Sequence, residues 1–425
     1  MKEENKKKGN VPNLRFPEFT GEWEESTLES FIDIISGIPI QSEDILEEEL
    51  GIRILRGINI TEGVIRHNKE IDRYYAKPIT DKIQKFVLEE KDLVLGMDGS
   101  KVGKNVALIS KPDVGSILIQ RVARIKALKN ADIDFIFQKI YSNKFQRYVD
   151  VVNTSSGIPH ISLQQIKDFE TCFPVTLSEQ TKIASFLSLI DKRIATQNKI
   201  IEKLESLIKG LSNLLYSQNI RFRDKNGCEF PLWQIKSLEV IGKTFNGLSG
   251  KTKEDFGTGK PYIQYKQVFD SPKIQIQNCG LVDISKNESQ NRVKFGDVFF
   301  TVSSETPDEI GMSSVLLDDV DEVYLNSFCF GYRPFSFEIL SPLFASYLFR
   351  NSSFRKKIVK IAQGSTRYNI SKEKLMKIEI SLPNVDEQII ITSFLSAIDE
   401  KIKLEKEILK LYTKQKNYLL QNLFI

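Results

Sequence analysis

Pro174-Val175-Thr176-Leu177-Ser178-Glu179-Gln180 returns as Pro383-Asn384-Val385-Asp386-Glu387-Gln388. The residues just beyond recur as well: Phe186-Leu187 and Ile190-Asp191 match Phe394-Leu395 and Ile398-Asp399, each 208 residues later. Proline before the start, a small polar residue and acids in the first turn announce a helix. Ser178 and Asp386 stand at the expected capping positions. Past them, apolar residues alternate at spacings of four and three, which is a coiled-coil seam. In the first copy the seam runs Ile183, Leu187, Ile190, Ile194, Gln197, Ile201, Leu204, Ile208, Leu211, Leu215. In the second it runs Ile391, Leu395, Ile398, Ile402, Glu405, Leu409, Tyr412, Lys416, Leu419, with Leu404, Ile408 and Leu411 widening the stripe. Gln197 and Glu405 occupy the same step. They either fix register or face solvent.

Working outward, the recurrence extends over the whole chain. Trp23 and Leu28 recur as Trp233 and Leu238, Ile54-Leu55-Arg56 as Tyr262-Ile263-Gln264, and Asp92-Leu93-Val94-Leu95 as Asp297-Val298-Phe299-Phe300. Gly157, Ile161-Ser162 and Phe173-Pro174 match Gly364, Ile370-Ser371 and Leu382-Pro383. An unbroken order with slightly wandering offsets is what loop insertions in a tandem duplication produce. Within each copy, short β-like runs at residues 52–60, 84–97, 106–109 and 116–126 stand between Gly, Pro and Asp punctuation. Amphipathic helical stretches fall at residues 135–151 and 343–362. Mixed elements without a strict βαβ rhythm indicate an α+β fold.

The expected organisation is a disordered tail at 1–12, a first globular domain at 13–175, a long helix at 176–220, a second domain at 221–384 and a second long helix at 385–425. About 40 residues make each helix roughly 60 Å long. The second helix can pack on the first only by running back. The result is an antiparallel coiled coil with pseudo-two-fold symmetry, and that symmetry matches duplex DNA. The helices either set the spacing of the domains or simply join them, although a rod of that length exceeds what joining requires.

Composition sets limits. The 425 residues are 41% hydrophobic and 27% charged with a net charge of +4, ordinary for a globular protein and compatible with nucleic acid without demanding it. Cys172, Cys228, Cys279 and Cys329 are scattered, so neither a zinc site nor a disulfide framework is expected. The charged start MKEENKKKGN has no apolar core, so it reads as a tail or a phosphate-contacting arm, not a signal peptide, and no apolar run is long enough to span a membrane. A cytoplasmic location fits.

Catalytic motifs are missing. The stretch Gly96–Asn105 fails as a phosphate loop, with Asp98 and Asn105 at positions that need Gly and a hydroxyl; it reads as a hairpin whose lysines could touch phosphates. Neither a dinucleotide fingerprint, an Asn/Asp-Pro-Pro-aromatic tetrapeptide nor nuclease spacing is found. His67 and His160 read as surface or hydrogen-bonding residues.

The tandem order of Trp23-Glu24, Leu28, the strand–Gly–Gly–Lys hairpin, Gly157, Ile161-Ser162, Phe173-Pro174, Glu179-Gln180, Phe186-Leu187 and Ile190-Asp191 resembles the specificity (S) subunit of type I restriction–modification systems. Gly364-Ser365-Thr366-Arg367 in the second copy and the lead-in Val11-Pro12-Asn13-Leu14-Arg15-Phe16-Pro17 resemble it too, so the likeness covers essentially the full chain. The resemblance implies a non-catalytic subunit. Each domain would be a target-recognition domain reading half of a split target in double-stranded DNA, with the helices setting the spacer. Two modification (M) methyltransferase subunits using S-adenosylmethionine would dock on the helices, and restriction (R) subunits using ATP and Mg would join. No cofactor or metal is expected on this chain. The competing reading is a coiled-coil adaptor that does not read DNA.

Base-reading residues do not carry over from a family whose members read different sequences. Polar loops supply the candidates: Lys101, Lys104, Thr154, Ser155, Ser156 and His160 in the first copy, and Ser304, Gln363, Ser365, Thr366, Arg367 and Tyr368 in the second. Gly157 and Gly364 read as turn glycines.

Overall fold

Leu93, Val94 and Leu95 are all fully buried, yet they serve two different cores. Successive strand residues point to opposite faces. Leu93 and Leu95 therefore enter one apolar cluster with Trp23, Phe135 and Leu187, while Val94 enters a second with Leu55, Leu88 and Leu118. Val298-Phe299-Phe300 divides in the same way. A continuous apolar run bounded by turns is thus a central strand covered on both sides.

The computed structural model describes residues 9–153, 157–285, 287–364 and 367–425. Its fold is α+β, and contacts divide it into two units. One runs to Asn198 and takes in Glu407–Ile425; the other is Lys199–Lys406. Each unit therefore holds the start of one long helix and the end of the other.

In the first unit the main sheet has the order Ile32–Ser36, Val122–Ala127, Leu93–Gly96, Val106–Leu108, all antiparallel. A smaller sheet packs Ile45–Leu46, Arg73–Tyr75, Ile52–Leu55 and Ile117–Leu118, the last pair parallel. Glu24–Thr27 pairs with Glu170–Phe173 and closes the globular part just before the helix begins. The second unit repeats the plan. Gly242–Asn246, Cys329–Pro334, Val298–Thr301 and Ser313–Val315 form its main sheet, and Gln234–Ser237 pairs with Glu379–Leu382. The aspartate that opens each central strand caps its own turn: Asp92 accepts from the Glu89 N–H (2.9 Å) and Asp297 from that of Lys294 (2.7 Å). Burial raises both carboxyls above the usual range despite Lys126 and Arg333 nearby.

Several local expectations are corrected. Residues 116–126 are not one strand: Ile117–Leu118 and Val122–Ala127 are separated by Ile119, bridged to Ile38, and a turn at Gln120–Arg121. The segments at 84–97 and 52–60 are strands only over Leu93–Gly96 and Ile52–Leu55. The helical stretch at 135–151 is two helices, Ile133–Tyr141 and Asn143–Val152, because Ser142 caps the second. That at 343–362 is likewise Pro342–Leu348 and Ser352–Ile361, with Asn351 as the cap.

The long helices span Leu177–Tyr216 and Val385–Leu423. Their caps lie two residues before the expected Ser178 and Asp386. The Thr176 hydroxyl accepts from the Glu179 N–H (3.3 Å) and the Asn384 side chain from that of Glu387 (3.0 Å). A cap must reach the N–H three residues on, and from these positions it meets Glu179 and Glu387. Within each unit the two helix segments run antiparallel. Ile183, Leu187 and Ile190 share a core with Leu419, Leu423 and Phe424, and Asp191 pairs with Lys416 (2.6 Å). In the other unit Ile391 and Leu395 share a core with Leu215 and Tyr216, and Glu205 pairs with Lys406 (2.6 Å). Ile201 and Ile402 are buried, and Ile194, Leu204, Ile398 and Leu409 are half-buried. Leu404 and Leu411 do not widen the stripe; both are exposed. Gln197 and Glu405 are buried, not solvent-facing.

Candidate nucleic-acid interface

Each unit is fixed to its helix by the same side chains. Glu179 is buried and accepts from Arg15 Nε (2.7 Å) and Nη2 (2.8 Å) and from Trp23 Nε1 (3.2 Å). Glu387 accepts from Arg221 Nε (3.1 Å) and Nη2 (2.8 Å) and from Trp233 Nε1 (3.1 Å). The carboxylates hold both guanidinium groups above their ordinary range. The neighbouring glutamines satisfy backbone. Gln180 donates to the carbonyls of Asn130 and Pro174 and accepts from the Asp132 N–H. Gln388 donates to those of Ile339 and Pro383 and accepts from the Ser341 N–H. The recurrent Glu-Gln pair is therefore a structural anchor whose buried side chains are hydrogen-bonded.

On this scaffold, the loop after Leu93–Gly96 meets the loop after Asn143–Val152. Asp98 pairs with His160 in an antiparallel bridge, and the Gly99 N–H donates to the Pro159 carbonyl (3.0 Å). Lys101, Lys104 and His160 are all exposed there, Lys101 in contact with Glu62 (3.1 Å). Thr154, Ser155 and Ser156 lie outside the described residues. Beside the hairpin is an open cleft of about 730 Å³ lined by Arg56, Arg66, Asp98, Lys101, Gln120 and Arg121 among others. Arg56 donates to the Ile71 carbonyl, and burial lowers its affinity for a proton. The Arg121 side chain is 67% exposed and bridges Asp98 (3.1 Å).

Arg121 also has φ +67°, and its carbonyl accepts from the Met97 N–H (2.9 Å). A left-handed conformation is uncommon away from glycine and carries backbone strain. The fold tolerates it in a turn that aims an arginine into the cleft. Sequence reasoning missed Arg56, Arg66, Gln120 and Arg121. Gln120 and Arg121 are hidden inside an apparent strand, and the one signal was the polar Gln-Arg pair interrupting an apolar run.

The second unit builds the same junction from other residues. Ser303–Ser304 pairs with Tyr368–Asn369, with Ser304 opposite Tyr368, and Gln363 bridges Asn369. Gln363 and Arg367 are exposed and Tyr368 is half-buried. Ser304 is buried and its hydroxyl accepts from the Thr306 N–H (3.2 Å), so it supports the loop from inside. Ser365 and Thr366 lie outside the described residues. Gly364 has φ +116°, and a Cβ there would stand 2.1 Å from the Arg367 carbonyl oxygen, so this position requires glycine. At the position of Arg121 stands Phe328, 59% exposed, its carbonyl accepting from the Val302 N–H (3.0 Å) as Arg121 accepts from Met97. The hairpin tip is acidic here, Glu305-Thr306-Pro307-Asp308-Glu309, and is held by Arg355 on the carbonyls of Asp308, Ile310 and Gly311.

The arrangement can bind and discriminate. Arginine forks match guanine O6/N7 and glutamine matches adenine N6/N7, while lysines hold phosphates. His67 sits between Asp72 (3.2 Å) and Asp113 (2.7 Å). Among the described residues no group of His, Cys, Asp and Glu could hold a metal ion, and the four cysteines are free.

The type I restriction modification DNA specificity domain matches the chain twice, over residues 20–206 and 232–411. The type I restriction enzyme MjaVIII specificity subunit of Methanocaldococcus jannaschii is 26% identical over 430 aligned positions, covering 96% of this chain and 92% of that protein. The EcoAI specificity subunit of Escherichia coli is 33% identical over 182 positions, 42% of this chain and 29% of that one. The fold is shared with the crystal structure of a type I restriction–modification S subunit from M. genitalium, with TM-score 0.58 and 18% identity over 98% of this chain and 99% of that one. With its whole scaffold duplicated and both copies matched, this chain belongs to the type I restriction modification DNA specificity family.

Proposed function

We propose that each unit reads one half of a bipartite duplex target through the junction of its hairpin with the loop beyond its paired helices. In the first unit Arg121, Gln120 and Arg56 face base edges while Lys101, Lys104 and His160 position the backbone. In the second, Gln363, Arg367, Tyr368 and the exposed Phe328 take the corresponding place, and Phe328 suits contact with a thymine methyl. The carrying observation is one scaffold presenting different side chains at one position, Arg121 against Phe328. A fixed frame with a variable face is what two readers of different half-sequences need.

The specificity subunit of a type I system is a non-catalytic component that binds DNA and assembles with modification and restriction subunits. We extend this to two modification subunits per chain, docked along the long helices, which act as the ruler for the unread spacer. S-adenosylmethionine, ATP and Mg would be held by those partners and not by this chain. A specificity subunit that acts on cellular DNA would work in the cytoplasm; no helix among the described residues is long and apolar enough to cross a membrane.

The test is to sequence methylated adenines in DNA from cells carrying this chain with its partners, then repeat with Arg121→Ala. Losing a bidentate base contact costs about 1–3 kcal/mol at that position. One half of the methylated sequence should relax at a single base while the other half stays unchanged. A change in both halves, or in neither, would sink the assignment.

A further inference from the structure

The second unit carries a cationic surface that the first lacks. Lys357, Lys360, Lys374 and Lys377 line one open cleft of about 490 Å³ between the helices Ser352–Ile361 and Lys372–Met376. All four are exposed. Lys357 donates to the Glu379 carbonyl (2.6 Å), which holds its ammonium at the rim. Lys360, Lys374 and Lys377 form no ion pair among the described residues, and the Glu379 side chain is the single acid lining the cleft.

A solvated helix face does not require this charge. The inward residues Phe354, Ile358, Leu375 and Ile378 match Phe145, Val149, Ile166 and Phe169 of the first unit, all buried. On that frame the four lysine positions are occupied there by Tyr148, Val151, Gln165 and Asp168. Crowding like charges disfavours the compact state. The position also matters. The lysine-bearing segments flank Gln363 and Asn369, which are tied to each other by the Gln363 N–H to Asn369 carbonyl bond (3.0 Å) and its reverse (2.8 Å). The acidic hairpin tip, in turn, offers phosphates nothing, so the second unit needs its cations elsewhere.

We propose that Lys357, Lys360, Lys374 and Lys377 form a clamp for the phosphodiester backbone of duplex DNA, independent of base sequence, beside the reading loop of the second unit. This rests on that loop facing DNA. The test uses the intact complex with its partner subunits and a mixed-sequence duplex, with binding measured across a salt series for the wild type and for a triple variant, Lys360→Ala, Lys374→Ala, Lys377→Ala. Each phosphate contact contributes about 0.9 to the slope of log affinity against log salt, so the slope should flatten by roughly 2–3. Affinity should fall more than about tenfold at low salt while the methylated sequence stays the same. The triple replacement by arginine should keep the slope. An unchanged slope at unchanged melting temperature overturns the clamp. So does a triple variant that loses a partner subunit but keeps its salt dependence, since the patch would then dock protein. A wild-type complex that binds no duplex at all would sink the recognition reading itself.

Discussion

The hairpin tips of the two units descend from one ancestral segment and have opposite electrostatic character. Between Gly96 and Val106 the tip carries Lys101 and Lys104 and borders a cleft with three arginines; between Thr301 and Ser313 it carries Glu305, Asp308 and Glu309. Underneath, almost nothing differs. Both tips follow a central strand divided between two cores, each is braced by the helix pair of its own unit (Gln146 on the Val102 carbonyl, Arg355 on that of Gly311), and both units carry an Arg–Trp–Glu anchor. Buried polar networks are costly to change one member at a time, whereas an exposed tip varies at little cost. The duplication therefore kept its frame and diverged at the exposed junction.

If the frame is truly shared, it should fail equally in both halves. Glu179→Ala and Glu387→Ala each strand an arginine and an indole N–H, and each should cost about 3–5 kcal/mol. Chemical denaturation of each variant measures this. A large loss in one unit with none in the other would break the equivalence.

Lys139 is a core position at which the frame itself diverges. Its ammonium is buried, donates to the Thr171 hydroxyl (3.0 Å) and the Cys172 carbonyl (2.6 Å), and lies over the rings of Trp23 and Phe424. The second unit has buried Leu348 there. Burial drives the Lys139 pKa well below 10.5. Between that depressed value and 10.5 the unfolded chain binds more protons than the folded one, so stability rises with pH across this window and is flat above it. Lys139→Leu should remove that rise, and replacing a buried charge by a well-packed apolar group is often neutral or stabilising by about 1–4 kcal/mol. Melting temperatures measured from neutral pH to pH 10.5 decide it, and a variant that keeps the wild-type slope would place the titration elsewhere.

The smallest expected effect concerns the caps. Thr176→Ala and Asn384→Ala should each cost about 1 kcal/mol, while Ser178→Ala and Asp386→Ala should cost less. Urea midpoints for the four variants separate the observed caps from those the sequence suggested.

Much of this was legible in the chain because its signals are local or repeated. The duplicated Glu-Gln and the four–three spacing of Ile183 to Leu215 revealed two units and two long helices, since a seam needs only helical geometry to be read. The hairpin was legible from its glycines. The cap positions were not, because Thr176, Ser178 and Asn384, Asp386 are chemically similar and only the backbone path selects between them. Gln120 and Arg121 were concealed for a related reason. A strand interrupted by one left-handed residue looks continuous in sequence.

By itself, then, the sequence determined the tandem repeat, the helices and the absence of recognisable catalytic motifs, all properties of periodicity and residue type. Only the tertiary structure decided which side chains meet. It drew Asp98 to His160 and Arg121 to Asp98, turned Ser304 inward, buried Gln197 and Glu405, and gathered four lysines around one cleft, from two helices and the residue after the second. Contacts between residues dozens of positions apart are set by how sheets and helices pack, and no local pattern encodes them.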